Sequence, residues 1–384
     1  MIEVFRIDKM NKLRSSLLLV TLSFLCCEMA AQVKVSDAVQ MDRTVYDFGD
    51  IMLSDGPQTC VFTMKNTGSK PVAIYNVISS CGCTGVKWTR EPVKPGAEGT
   101  VTATYNNDEG PYPFDKTLTM YVSDLSKPVI LRIRGVSHER KMSLNELYPV
   151  RFGALGIRTL DVKAGNMEQG MQKSDEFTVA NLSSKPLKID FTDVSPCLSI
   201  KCTASVIEPG ATAKVRYTVK ADRKLWGKNY YYATPVVDGH RYQASGTLDG
   251  LVSPGGKGVI GIWAITKENF SNLSREEKDR GSRPVFDNST FSFGRIKAGK
   301  QVDAVFTMTN EGKSVLEIYK TDPDFKGAEL VGKIPPVAPG SRTEVRIHLD
   351  TSAMPKGEAL VIVQLITNSP IRPLVDLFIT GWIE

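Results

Sequence analysis

The sequence predicts an all-β chain of three tandem sandwiches behind an export signal. Turn signals written three times in one order, period-two alternation between them, and a short apolar run near the N-terminus carry that reading. The 384 residues, 41% of them hydrophobic, suit two or three domains of roughly 100–150 residues with packed cores. A Phe-Gly pair opens each copy: Phe48-Gly49, Phe152-Gly153 and Phe293-Gly294. An asparagine turn follows at Asn66-Thr67-Gly68, Asn181-Leu182-Ser183 and Asn310-Glu311-Gly312, and a Pro-Gly turn at Pro95-Gly96, Pro209-Gly210 and Pro339-Gly340. From asparagine to proline the spacing is 29, 28 and 29 residues; from Phe-Gly to asparagine it is 18, 29 and 17, which places an insertion of about eleven in the middle copy. Each copy then closes on a strand ending in glycine, at Gly135, Gly246 and Gly381.

Between these marks apolar residues alternate, as half-buried strands require. Cys60, Phe62 and Met64 share one face, as do Ala304, Phe306 and Met308. Asparagine, glycine and proline supply the backbone angles of tight turns. About seven short strands per hundred residues, with turn signals every 8–12, is the signature of an immunoglobulin-like β-sandwich. The domains are read as 32–138, 139–250 and 284–384. Residues 251–283 are read as a linker, with a short helix after the capping box of Ser274 and Glu277.

Ahead of them, residues 1–31 read as a signal peptide. Lys9, Lys12 and Arg14 precede the apolar run Ser16–Cys27, and Met29-Ala30-Ala31 offers small residues for cleavage before Gln32. A bilayer span needs about 20 apolar residues, and neither this run nor any later segment supplies them. The mature chain is therefore expected outside the cytoplasm, in the periplasm or at the cell surface. The net charge of +6 is too thin over a chain this long to imply a nucleic-acid partner.

Five cysteines remain after the signal: Cys60, Cys81, Cys83, Cys197 and Cys202. An exported chain permits disulfides, and an odd count leaves one thiol free or joined to a partner. Cys81 and Cys83 flank one glycine, so they can close a small disulfide ring or chelate a soft ion such as Cu(I). Cys60 could bridge to Cys81, or serve as a small apolar core residue. Cys197 and Cys202 are read as a local staple.

The segment Ser80-Cys81-Gly82-Cys83-Thr84, with the asparagine and Pro-Gly turns around it, resembles the family called domain of unknown function 1573. The resemblance implies exported immunoglobulin-like domains related to pilus chaperones and hydin. It is clearest over 42–137. In the third copy Asp322-Pro323-Asp324-Phe325 stands where the cysteines would be, and the middle copy keeps a loosened version around Cys197 and Cys202.

Chemistry-bearing motifs are scarce. His138, His240 and His348 lie in separate copies, and no Gly-x-Ser-x-Gly elbow, His-Glu-x-x-His or paired Cys-x-x-Cys occurs. Gly255-Gly256-Lys257-Gly258 lacks the spacing and the Ser/Thr of a phosphate loop. The run Tyr230-Tyr231-Tyr232 reads as strand packing, with a sugar or peptide platform as its alternative. The expectation is a non-catalytic envelope scaffold that binds a protein partner without a cofactor; the alternative is a thiol-based metal or redox protein using Cys81 and Cys83.

Overall fold

A computed structural model describes residues 33–384 apart from 37, 126, 223 and 247–253. The expected signal peptide lies outside the described residues. The chain divides after Met142 into two compact units.

The first unit is a sandwich of two sheets. One runs Val33–Lys34, Val39–Met41, Gln58–Asn66, Glu98–Tyr105, Thr84–Trp88; the other runs Val45–Met52, Val129–His138, Pro113–Val122, Ile74–Ser79. Alternation decides which side chains enter. In Gln58–Asn66, Cys60, Phe62 and Met64 are buried while Val61 is exposed. They meet Leu118, Met120, Leu131 and Ile133 from the facing sheet in one core.

The second unit holds two more sheet pairs. In the first pair, Leu198–Cys202, Thr212–Lys220, Gln172–Asn181, Leu155–Ile157, Val150–Phe152 and Ser245–Gly246 form one sheet; Asp161–Glu168, Ile260–Lys267, Gly227–Val237 and Ile189–Thr192 form the other. In the second pair the sheets are Pro284–Phe286, Gln301–Asn310, Arg342–Asp350, Ala328–Leu330 and Thr290–Ile296, Leu374–Ile383, Gly357–Thr367, Ile318–Pro323. Each pair has its own core, so the sheets build immunoglobulin-like sandwiches. Among the described residues no helix is long and apolar enough to cross a membrane.

The recurring asparagine is a hydrogen-bond hub and does not supply a left-handed turn angle. Asn66, Asn181 and Asn310 are fully buried last residues of their strands. Each side-chain amide donates to two carbonyls: Lys70 and Val93 for Asn66, Lys185 and Ile207 for Asn181, Ser314 and Val337 for Asn310. Each Oδ1 accepts the amide two residues on, at 2.9–3.0 Å. A buried amide pays its desolvation only when its groups are matched this way.

The middle copy departs from the sequence reading at both ends. In the outer copies the Phe-Gly pair is a β-bulge in a strand paired parallel to the last strand, with register shifts at Asp47/Asp50 and Ser292/Arg295. The matching shift in the middle copy is at Lys163/Gly165, and Gly49, Gly165 and Gly294 have φ of 67°, 83° and 69°. Gly165, sixteen residues before Asn181, restores the common spacing, so the apparent insertion vanishes. Phe152-Gly153 lies in the hairpin of Val150–Phe152 and Leu155–Ile157, whose second strand pairs with Gln172–Asn181 as Val39–Met41 and Pro284–Phe286 pair with the matching strands of the outer beads. Phe152 is core in that hairpin.

The strand expected to close the middle copy at Gly246 is only a two-residue pairing with Val150 and Arg151. Part of the segment read as a linker closes it instead. Ile260–Lys267 lies between Asp161–Glu168, parallel, and Gly227–Val237, antiparallel. Ile260, Ile262 and Ala264 have no exposed surface, so this apolar alternation outweighs the Gly/Pro-rich stretch before it. The helix of that segment spans Arg275–Asp279 with Ser274 as its cap.

Candidate functional site

The Cys81–Cys83 box sits where the first sandwich's chain leaves one sheet for the other. Ile74–Ser79 and Thr84–Trp88 are edge strands of the two sheets, and the box spans the gap. Ser80 anchors it: its N–H donates to the Thr117 carbonyl at 2.9 Å, and its hydroxyl accepts the Thr117 N–H at 3.0 Å. The Asn106 N–H donates to the Cys83 carbonyl at 2.7 Å. Cys81 and Cys83 are joined as a disulfide, and the buried Thr84 hydroxyl lies 3.6 and 3.7 Å from their sulfurs.

Sequence reasoning missed the third member of this cluster. A Glu109 carboxylate oxygen and both sulfurs lie within 4.8 Å of one another. Lys116 donates to Glu109 at 2.9 Å and Tyr112 at 3.3 Å. The Lys116 hydrogen bond holds Glu109 below the usual carboxylate range and holds Lys116 above its own. Burial, and then the Glu109 charge, push the Tyr105 phenol up. Glu109 arrives from a loop 26 residues past Cys83, and no local spacing marks it.

The other cysteines do not join the box. Cys60, one candidate partner for Cys81, is a buried thiol facing the core, and burial pushes it up to about 11. The expected Cys197–Cys202 staple is absent, and both are thiols. Residues 198–202 form a strand, which at about 3.3 Å per residue carries the two cysteines roughly 16 Å apart, beyond the 4.4–6.8 Å Cα separation that a disulfide spans.

A second surface feature of the first sandwich lies on the outer face of the sheet ending at Ile74–Ser79. Ile78, Thr119 and Ile130 occupy one cross-strand row. Tyr75, Ile78 and Ile130 are 61%, 49% and 48% exposed, and Tyr75 lies 5.9 Å from the Tyr121 ring. In the tyrosine run, Tyr231 is core, while Tyr230 and Tyr232 stack on the opposite face at 6.2 Å. Trp263 is opposite Tyr230, and the ammonium groups of Lys163 and Lys228 lie over its indole at 5.4 and 4.5 Å. Lys228 also lies over the Tyr230 ring at 5.2 Å, so one end of the sequence-read platform is already covered.

In the second unit, the strand Ile318–Pro323 meets the opening of Gly227–Val237. Trp226 stacks on Tyr319 at 4.3 Å and 11°. The Lys228 N–H donates to Asp322 at 2.6 Å, and the Tyr319 hydroxyl donates to Glu268 at 2.7 Å. Gly227, at φ +67°, has no room for a Cβ, which would collide with the Asp322 carboxylate.

The fold and the box define a chain of immunoglobulin-like beads, the first of which carries a Cys-Gly-Cys corner. The family model described as Protein of unknown function (DUF1573) matches residues 39–137 and 284–381, just over half the chain, and the chain belongs to that family. The match does not include the middle bead. No curated protein matches the sequence. Among solved structures, a Porphyromonas gingivalis protein of unknown function is 14% identical, over 60% of this chain and 100% of its own, with a TM-score of 0.47. The YadV chaperone is 13% identical over 59% and 99%, with a TM-score of 0.20. A PapD-like domain of human CEP192 is 13% identical over 31% and 88%, with a TM-score of 0.21.

Proposed function

We propose that the protein is an exported, non-catalytic scaffold of the cell envelope, in the periplasm or at the cell surface, that binds a protein partner through its first bead. The observation that carries this reading is the exposed apolar row of Ile78 and Ile130 beside Tyr75 and Tyr121. Isolated exposed apolar side chains are ordinary, but a contiguous set on one sheet face marks an interaction surface. The test is capture of envelope proteins on the tagged mature chain and on its Ile78→Glu variant, both checked for folding by circular dichroism. The reading expects a partner retained by the first and lost by the second. An identical set of retained proteins on both removes it.

A second reading is favoured by the position of Glu109. Once Cys81 and Cys83 are reduced, two thiolates and one carboxylate could hold a metal ion at the sandwich corner; thiolates suit Cu(I) and a mixed sulfur and oxygen set suits Zn(II). Titration of the reduced mature chain with each ion against a competing chelator tests it. Stoichiometric binding that weakens in Glu109→Gln and disappears in Cys83→Ser supports it, and no binding by the reduced chain sinks it.

A further inference from the structure

The first and third beads carry the same seat, and only the third shows what sits on it. Tyr75 and Tyr319 each lie nine residues after the hub asparagine and directly after an isoleucine, Ile74 or Ile318. Each is the extra residue of the same β-bulge, with register shifts at Ile74/Asn76 and Ile318/Lys320. The residue paired beside the bulge is Tyr121 in one bead and Ile366 in the other, and three residues past each tyrosine stand Ile78 and Asp322.

In the third bead this seat is filled. The Trp226 indole lies flat on Tyr319, Gly227 brings its backbone against Asp322 and within reach of Ile366, and the Lys228 N–H donates to Asp322. The occupant is thus an aromatic side chain followed by glycine at the opening of a strand. Glycine is needed because the backbone must approach closely at positive φ. In the first bead Tyr75, Asn76 and Ile78 are exposed and Tyr121 is half-buried.

Three replacements change the chemistry of that seat. Asp322, which accepts the partner's backbone N–H, is replaced by Ile78. Lys320, which donates to the Lys228 carbonyl at 3.2 Å, is replaced by Asn76. Tyr121 adds a ring where Ile366 stands. The first seat therefore offers rings and aliphatic surface in place of an ionic clasp.

Resting on the scaffold reading above, we infer that the face around Tyr75, Ile78 and Tyr121 docks another immunoglobulin-like bead through an aromatic-glycine strand opening of the Trp226–Gly227 type. The partner is recognised by an aromatic ring laid on Tyr75 and by a glycine that lets its backbone reach Ile78.

The probe is a copy of this chain whose own opening has been released. In the Ile78→Glu, Tyr319→Ala, Asp322→Ala variant, Trp226 and Gly227 lose their intramolecular seat and the released chain offers no intact seat of its own. Mixed with the wild-type mature chain at about 100 µM, it should form a complex in sedimentation velocity, weakened at least about tenfold when the wild-type chain carries Ile78→Glu. The released chain must first show wild-type far-ultraviolet circular dichroism. A folded released chain that forms no complex with the wild-type chain, or a complex indifferent to Ile78→Glu in the wild-type chain, overturns the inference. A photo-crosslinker at Ile78 of the otherwise unaltered chain, used on envelope extract, gives a second readout. Crosslinks to an aromatic-glycine strand opening support the inference, and crosslinks to any other segment overturn it while leaving the scaffold reading intact. The scaffold reading is removed only when Ile78→Glu changes nothing that the chain retains.

Discussion

The Gly96 N–H donates to the carbonyl oxygen of Asn66 at 2.9 Å. The same bond joins Gly210 to Asn181 at 3.1 Å and Gly340 to Asn310 at 2.8 Å. The asparagine and Pro-Gly marks are thus two ends of one contact, which is why they recur together. Beside it, short bridges between Val72 and Val93, Leu187 and Ile207, and Leu316 and Val337 close the same loop in every bead.

Asn66→Ala strips two carbonyls and one amide of their partner inside the first bead. Unmatched buried groups cost about 1–3 kcal/mol each, and relaxation recovers part of that, so the expected loss is about 2–4 kcal/mol. Urea denaturation of the variant against wild type checks it. A loss below about 1 kcal/mol would show that water replaces the side chain readily.

Cys60 should resist alkylation at pH 8 in the native chain, while the exposed Cys197 reacts. Burial raises the Cys60 pKa from 9.0 to about 11, so the folded state holds the thiol proton more tightly than the unfolded chain. That contribution to stability is complete below pH 9 and is lost as pH rises through about 11. Peptide mapping after iodoacetamide, with and without urea, reads the first effect. Urea midpoints of wild type and Cys60→Ala between pH 8 and 11 read the second, with the wild type falling faster.

The Tyr231 hydroxyl is buried and has no hydrogen-bond partner among the described residues. Tyr231→Phe removes an unmatched polar group with little change of shape, so it should stabilise the chain by up to about 1 kcal/mol. A thermal melt of the variant against wild type measures this, and a destabilisation would reveal a hidden partner for the hydroxyl.

Gly227→Ala places a Cβ against the Asp322 carboxylate and forces alanine to a positive φ. The strain should cost about 1–3 kcal/mol and lift Trp226 off Tyr319, seen as a red shift in tryptophan emission. Asp322→Ala added to it should recover part of the stability, because the colliding group is gone. If the two substitutions add with no coupling, the collision is not the source of the loss.

Much of the fold was legible because period-two burial and turn chemistry are local. Cys60, Phe62 and Met64 could be placed on one face before any coordinate, and so could the capping box at Ser274. Parallel pairing of an early strand with the last one is not local, so Ile260–Lys267 could be read as linker and Phe152-Gly153 mistaken for the bulge that Gly165 forms. The role of the recurring asparagine was also hidden, since its partners include a carbonyl 26 or 27 residues away. At the site, Cys81 and Cys83 stood out by spacing, whereas Glu109 reaches them only through the fold. The seat around Tyr75 was written in the repeat, but its meaning rests on Trp226 lying against Tyr319.

The parallel pairing of early with late strands also sets an order of events during synthesis. Val45–Met52 has its neighbour only once Val129–His138 exists, and Asp161–Glu168 waits for Ile260–Lys267. A nascent second bead therefore carries an open edge for about a hundred residues of translation, beyond the point where its sequence marks suggest it is finished. Such unpaired margins invite mispairing with neighbouring beads of similar pattern. A truncation ending between residues 247 and 259 would make that interval permanent, leaving a product without its last strand and prone to clump.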